Sequence, residues 1–346
     1  MTRAQKITIE NIRVAASAAA TLSKRFVKTQ QQSDILNKLL LLHEERNCLV
    51  SLKALRKIDG LALVAPTGAG KTRTLEWVFA ELDRLSVGTG PGGPNPVKIA
   101  SVRVRTPATL RTAAEAVMDE IGYPTTTRNM TDATLSVLWE KVHYQLKAQK
   151  VTVLHFDEAQ DIWGNANKPQ RKAVINTLKS LSQNKEWPVI LVLSGTEELK
   201  EMLNQDQQLG RRIKPTELRP ISKATDAKVI RTVIKSFTTE VDLEGFIEND
   251  SKFIDRFFVA CCNRLGIAID LIIGAIQQAK LTEDPALLDH HFARTFTHLA
   301  ECDDAMNPFL SEDWHNIDAS VLFAQPDEMQ DETLVTQKSP RLGKAR

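Results

Sequence analysis

Two groups of residues in this chain have the types and spacing to handle phosphate: a run of small residues closed by Lys71 and Thr72, and the acids Asp157 and Glu158. Ala65-Pro66-Thr67-Gly68-Ala69-Gly70-Lys71-Thr72 leaves backbone amides open to cradle phosphate, and a helix directly after it adds the partial positive charge of its N-terminus. Lys71 then reaches the β- and γ-phosphates, and Thr72 offers its hydroxyl to magnesium. The usual pattern opens with glycine where this chain has Ala65, and a small residue is the least damaging replacement. In Phe156-Asp157-Glu158, 86 residues beyond Lys71, Asp157 would hold magnesium, mostly through water, and Glu158 would polarise the attacking water. The competing reading of the two acids is a pair of solvated carboxylates opening a loop. ATP and Mg2+ are therefore the expected ligands.

Two more segments bear on the same chemistry. Ser194-Gly195-Thr196 ends an apolar run, where Ser194 or Thr196 would sense the γ-phosphate or align the water. The same turn would also serve simply as a helix cap, with Glu197 and Glu198 in the first turn. Gly210-Arg211-Arg212 carries guanidinium groups suited to an ATP bound by a neighbouring subunit, where they would stabilise charge building on the phosphates. The alternative is two surface arginines. His155 reads as a packed, hydrogen-bonded core histidine.

Such side chains need a rigid frame, and the apolar runs supply one. Residues 60–64, 98–105, 151–156 and 189–193 read as strands, and a last strand follows Arg212. Helices are expected over 34–46 with Ser33 as N-cap, after the small-residue loop, over 107–121, and around Leu135, Leu138, Trp139, Val142 and Leu146. Residues 88–96, rich in glycine and proline, read as a loop. Alternating strands and helices imply a parallel sheet covered on both faces, because each parallel pairing needs a crossover. Beyond Leu218-Arg219-Pro220 the strand pattern stops, and 223–237, 252–262, 267–280 and 287–300 read as helices. The expected organisation is a basic helical extension over 1–57, an α/β core over 58–220, a helical lid over 221–300 and a flexible tail over 301–346.

Composition is that of ordinary globular material, at 42% hydrophobic and 25% charged residues. Four cysteines without a CxxC pair, no apolar run of membrane-spanning length and scattered histidines lead us to expect a cytoplasmic protein with no membrane contact and no structural zinc. A formal net charge of +2 hides an asymmetry: residues 1–57 hold eleven Lys/Arg against four acids. That excess fits a polyanion partner or a solvated helical extension.

The motif order Gly-Ala-Gly-Lys-Thr, Phe-Asp-Glu-Ala-Gln, Ser-Gly-Thr-Glu-Glu-Leu and Leu-Gly-Arg-Arg, with Arg105-Thr106-Pro107 after the second strand, resembles the TnsC/TniB-type AAA+ regulators of transposition over roughly residues 35–280. The resemblance implies an AAA+ P-loop core with a parallel five-stranded sheet between helices and a small helical lid. It implies an ATP-hydrolysing protein that forms a ring or helical homo-oligomer on duplex DNA and joins a target-selector complex to transposase subunits, in short members beside CRISPR-guided selectors. It makes Lys71, Thr72, Asp157 and Glu158 the ATPase residues, and Arg211 or Arg212 the finger acting in trans. It also points to Lys98, Arg103, Arg105 and Arg111 for contact with the DNA backbone. Arginines alternating on a strand put Arg103 and Arg105 on one face, which suits salt-sensitive, sequence-tolerant binding, unless they pair with acids elsewhere in the fold. Gly266-Ile267-Ala268-Ile269-Asp270 lacks the sensor arginine that many AAA+ lids carry, with Arg264 a weak substitute.

A replication initiator or helicase loader would share the nucleotide site, but residues 281–346 leave little room for the winged helix usual in initiators. A secretion or signalling ATPase would bring a membrane segment, a sensor domain or repeats. A structural adaptor, assembled by ATP binding and disassembled by hydrolysis, overlaps the transposition reading.

Overall fold

The computed structural model describes residues 8–53, 58–86, 96–104, 107–123, 133–164 and 166–323. Residues 88–95 of the loop expected over 88–96, residues 54–57 with Arg56 and Lys57, Arg105 and the end of the chain from 324 lie outside the described residues. The chain forms two compact units: residues 26–219, and residues 1–25 together with 220–346.

In the first unit, five strands run parallel: β1 (Gly60–Val64), β2 (Ile99–Arg103), β3 (Val153–Asp157), β4 (Ile190–Gly195) and β5 (Ile213–Glu217). Their order in the sheet is β2-β3-β4-β1-β5. The three central strands are buried along almost their whole length and the edge strands β2 and β5 only in part, as expected where helices cover both faces. Alternate residues sort onto the two faces. Leu61, Leu63, Val153, Ile190 and Val192 pack with helices α2 (Gln30–Ser51) and α3 (Lys71–Ser86). Ala62, Val64, Val102, Leu154, Phe156, Leu191 and Leu193 pack with α4 (Leu110–Glu120), α5 (Leu135–Ala148) and α7 (Lys168–Ser182). Shorter helices complete the unit: α6 (Asp161–Gly164), α8 (Glu197–Asn204) and α9 (Gln207–Gly210).

Helix α2 differs from the expected 34–46 segment at both ends. It begins at Gln30 because Thr29 is the N-cap and the Gln32 side chain reaches back to the Thr29 amide, which places Ser33 inside the helix. The stretch 1–57 is divided between the two units. Ile35, Leu36, Leu39 and Leu42 of α2 pack on the sheet, whereas α1 (Ile9–Ser23) packs on a helix of the second unit through Ala15, Ala18 and Leu22.

That second unit contains α1, α10 (Lys223–Glu240), α11 (Phe253–Ala260), α12 (Leu265–Leu281) and α13 (Asp289–Ala300). Its α1 lies along α12, where Asn11 donates to the Leu281 carbonyl at 3.3 Å, and Arg25 pairs with Glu240 at 3.1 Å. Contrary to expectation, strands do recur after residue 220: β6 (Phe246–Ile247) pairs in parallel with β7 (Leu287–Leu288). Two residues per strand leave no periodicity in a sequence. The core is aromatic, with the rings of Phe246, Phe253 and Phe292 between 4.6 and 5.6 Å apart. Among the described residues no single helix is long and apolar enough to cross a membrane. The apolar helices α11 and α12 bend by 118° and bury Phe257, Leu271 and Ile276.

Residues 301–323, expected to belong to a flexible tail, are packed. Phe309 lies 5.8 Å from Phe253, Arg256 donates to the carbonyls of Pro308 and Ser311, and Asn307 is wholly buried. The Asn307 amide donates to the Ala293 carbonyl at 2.8 Å and to the Thr297 hydroxyl at 2.9 Å, and its oxygen accepts from the Phe309 amide. Asn307→Ala strands those partners, so it is expected to destabilise this unit by about 1–3 kcal/mol, read from the denaturant midpoint.

Candidate nucleotide site

The loop between β1 and α3 owes its path to two glycines. Gly68 and Gly70 have φ of 78° and 92°, the left-handed region in which a side chain is strained. Ala65, at the position where glycine is usual, donates its amide to the Gly195 carbonyl at 3.1 Å and needs no such freedom. The Ala69 amide closes a turn onto Pro66, and α3 begins at Lys71 with its N-terminus at the loop. Thr67 and Ala69 are partly buried in that loop, while Thr72 is exposed in the first turn of the helix.

Lys71 is 5% exposed, and its ammonium donates to the carbonyls of Ala65 at 2.9 Å and Pro66 at 3.5 Å. It also stands 3.7 Å from Glu158 Oε1, so the structure brings together the two segments that the sequence separates by 86 residues. Asp157 ends β3, and Glu158 leaves it with φ of 48°, a left-handed turn that redirects the chain into α6. Both acids therefore stand at the carboxyl edge of the parallel sheet, where such folds bind ligands.

Behind Asp157 runs a chain of hydrogen bonds across three strands. Ser194 Oγ is 2.5 Å from Asp157 Oδ1, His155 Nε2 is 2.9 Å from Ser194 Oγ, and His155 Nδ1 is 2.8 Å from Ser101 Oγ. A carboxylate only accepts, so Ser194 donates to Asp157, His155 donates through Nε2, and Ser101 donates to Nδ1. The imidazole is neutral in this arrangement, and burial pushes its pKa down to about 4 against the attraction of Asp157. His155 is thus the hydrogen-bonded core histidine expected from its position. It has an additional contact, through Ser194, with the acid assigned to the metal.

Of the two expected sensors, Ser194 is fully buried and committed to Asp157. Thr196 is half-buried at the tip of β4. It occupies the N-cap position of α8, yet its side chain makes no capping bond, so capping does not account for it. Arg211 and Arg212 also separate. Arg211 is exposed at the C-cap of α9, whereas Arg212 is 8% exposed, with one buried guanidinium nitrogen lacking any hydrogen-bond partner.

The three described basic residues expected to contact DNA, Lys98, Arg103 and Arg111, do not gather. Lys98 precedes β2 and donates to Gln149 at 2.9 Å, whereas Arg103 ends the strand in register with Asp157, about 16 Å further along at some 3.3 Å per residue. Arg111 donates to the Ala133 carbonyl and stands 3.8 Å from Glu115. Arg103 is exposed and acts on Asp161, whose carboxyl is pushed up by burial and by Glu158 and pulled down by Arg103.

Asp157, Glu158 and Asp161 together form an acidic cluster at the phosphate loop, and two of them raise the pKa of the third. Carboxylate oxygens are hard ligands of the kind that magnesium takes. A second polar cluster was not foreseen from the scattered histidines: Asp284, His290 and His291 lie with ligand atoms within 4.8 Å of one another. Both nitrogens of His291 are already used, Nδ1 accepting from the Leu288 amide and Nε2 donating to Asp284 at 2.8 Å. That pairing caps α13.

Gln160 closes the segment Phe156-Asp157-Glu158-Ala159-Gln160. The structure buries it beside Glu158, with Nε2 2.8 Å from Oε2.

Comparison with known proteins agrees with this geometry. The chain resembles solved structures of Cdc6p from Pyrobaculum aerophilum, at 11% identity and TM-score 0.57, covering 80% of this chain and 69% of that one. It also resembles the Aeropyrum pernix ORC1 protein in complex with DNA, at 15% identity and TM-score 0.56, covering 82% and 71% respectively. Likeness at that identity shows the fold alone, and the fold is that of AAA+ P-loop ATPases. No curated protein matches the sequence. A family model described as "Bacterial TniB protein" matches residues 18–223, more than half of the chain. The chain therefore belongs to the TniB family of transposition-associated AAA+ ATPases.

Proposed function

We propose that this chain is an ATP- and magnesium-dependent regulator of transposition that assembles with copies of itself on duplex DNA and joins a target-selector complex to transposase subunits. Hydrolysis controls the assembly. The observation that carries this reading beyond the family is the contrast between Arg211 and Arg212: one subunit supplies the phosphate loop and the acids, and the guanidinium it leaves exposed is Arg211.

Each residue then has a task. The amides of residues 67–72 cradle the phosphates, and Lys71 trades its carbonyl contacts for phosphate oxygens. Thr72 and Asp157 hold magnesium, with Ser194 and His155 fixing the Asp157 carboxylate from behind. Magnesium, when bound there, would supply positive charge against the β- and γ-phosphates. Glu158 takes the proton of the attacking water, since its Oε2 is held and its Oε1 faces the phosphate-binding lysine. Thr196, at the tip of β4, reads the γ-phosphate. Arg211 stabilises the charge of the transferring phosphoryl group on a neighbouring copy, so turnover requires assembly. For DNA, Arg103 is the exposed candidate on the acid side of the sheet, with Arg105 two residues on. Lys98, at the other end of β2, does not share that surface.

Mixing Arg211→Ala protein with Glu158→Gln protein tests the shared site. Each alone is expected to turn over slowly, and the mixture to recover activity wherever an intact Glu158 meets an intact Arg211. Recovery with Arg212→Ala but not with Arg211→Ala would reverse the assignment, and no recovery with either would count against a finger in trans. The replication-initiator reading has only the fold likeness to Cdc6 and ORC chains in its favour. Electron microscopy with duplex DNA and a non-hydrolysable ATP analogue separates it from the reading adopted, which expects subunits wound around the DNA.

A further inference from the structure

Glu158 has a backbone φ of 48°, outside the comfortable range for a side-chain-bearing residue, and neighbouring side chains hold its carboxylate. One contact, Lys71, is required for the phosphates. The other is Gln160, which is 7% exposed and donates from Nε2 to Glu158 Oε2 at 2.8 Å. The far end of the same amide, Oε1, accepts from the Thr196 backbone amide at 3.4 Å. Turning the amide over would set its oxygen against the carboxylate and its NH2 against an N–H, so the chemistry of both neighbours dictates its orientation.

Gly195 gives an independent sign that this place is kept for Gln160. A Cβ built on Gly195 would lie 2.1 Å from Gln160 Oε1 and 3.1 Å from Leu199 Cβ. No other residue type at 195 leaves the amide where it is. The end of β4 thus provides both the opening that admits Gln160 and the amide that anchors it.

We propose that Gln160 is the positioning residue of the hydrolytic site, orienting Glu158 and tying it to the tip of β4 that carries Thr196. This rests on Glu158 being the group that polarises water. Gln160 touches no phosphate. Its Nε2 also lies 3.4 Å from Asp161 Oδ1, but the shorter bond, at 2.8 Å, is to Glu158, and the link to Thr196 lets the strand end that meets the γ-phosphate set the direction of the Glu158 carboxylate.

The test uses the full chain with Gln160→Met, which keeps the volume and removes the amide's hydrogen bonds to Glu158, Asp161 and Thr196, and with Gly195→Ala, which displaces the amide without touching its chemistry. Each is expected to lower kcat about 10- to 100-fold and to leave the Kd for a fluorescent ATP analogue within about twofold. Gly195→Ala placed on Gln160→Ala should cost far less than on the native chain, because the clashing oxygen is gone. Gln160→Met added to Glu158→Gln should lower the residual rate no further. Unchanged kcat in Gln160→Met, or an equal loss with Glu158 intact and replaced, overturns the positioning role while leaving Glu158 in place. Normal turnover by Glu158→Gln alone instead removes the parent reading. Should Gln160→Met fail to bind the analogue, the decision is read from Gly195→Ala and its dependence on Gln160.

Discussion

Lys71→Ala is expected to abolish ATP binding at micromolar concentrations and, with it, nucleotide-dependent assembly on duplex DNA. The ammonium is nearly buried and balanced between two loop carbonyls and the Glu158 carboxylate, so alanine removes the positive charge that the phosphates are to meet. Lost charge-assisted contacts to phosphate in a partly buried site are worth about 2–4 kcal/mol, or roughly 30- to 1,000-fold in affinity. Lys71→Arg keeps the charge but not the shape, and should recover only part of the binding. Titration with a fluorescent ATP analogue gives the affinity, and electron microscopy gives the assembly. Intact rings or filaments from the alanine protein would overturn the assignment of this loop.

Glu158→Gln is the second large effect, and it separates binding from chemistry. The glutamine amide keeps the size and retains an oxygen, but cannot take a proton from water. ATP affinity should stay within a few-fold while turnover falls by about 10²–10⁴. If hydrolysis releases the assembly, the same variant should build complexes on DNA that persist while ATP lasts. Single-turnover phosphate release and the lifetime of the complexes are the two measurements. Rapid turnover would assign water activation to another group in the cluster, of which Asp161, with its raised pKa, is the nearest candidate.

Much of the frame could be read beforehand, because parallel strands buried on both faces appear as short apolar runs. β1, β3 and β4 were visible for that reason, and the loop glycines together with Asp157 and Glu158 carry their chemistry in their order. The parts that escaped depend on pairings between distant residues. Ser101, His155 and Ser194 become a hydrogen-bonded chain only because β2, β3 and β4 are neighbours in the sheet, and nothing local announces that. Gln160 and Gly195 are 35 positions apart, and their mutual fit exists only in three dimensions. Burial, which distinguishes Ser194 from Thr196 and Arg211 from Arg212, is not written in residue type. The start of α2 was misplaced because Thr29 and Ser33 are both acceptable caps, and the reach of Gln32 decides between them.

Helix α1 has a consequence for how the protein is made. It leaves the ribosome before the other described elements, yet the helix it packs on, α12, begins roughly 240 residues later. At about 5–20 residues per second, α1 waits on the order of ten to fifty seconds for its partner, while the contiguous 26–219 unit is completed in between. Its buried stripe is Ala15, Ala18 and Leu22, mostly methyl groups, which offers little for a chaperone or another nascent chain to seize during that delay. Docking of α1 is therefore a late step in folding, although its residues are made well before those of its partner.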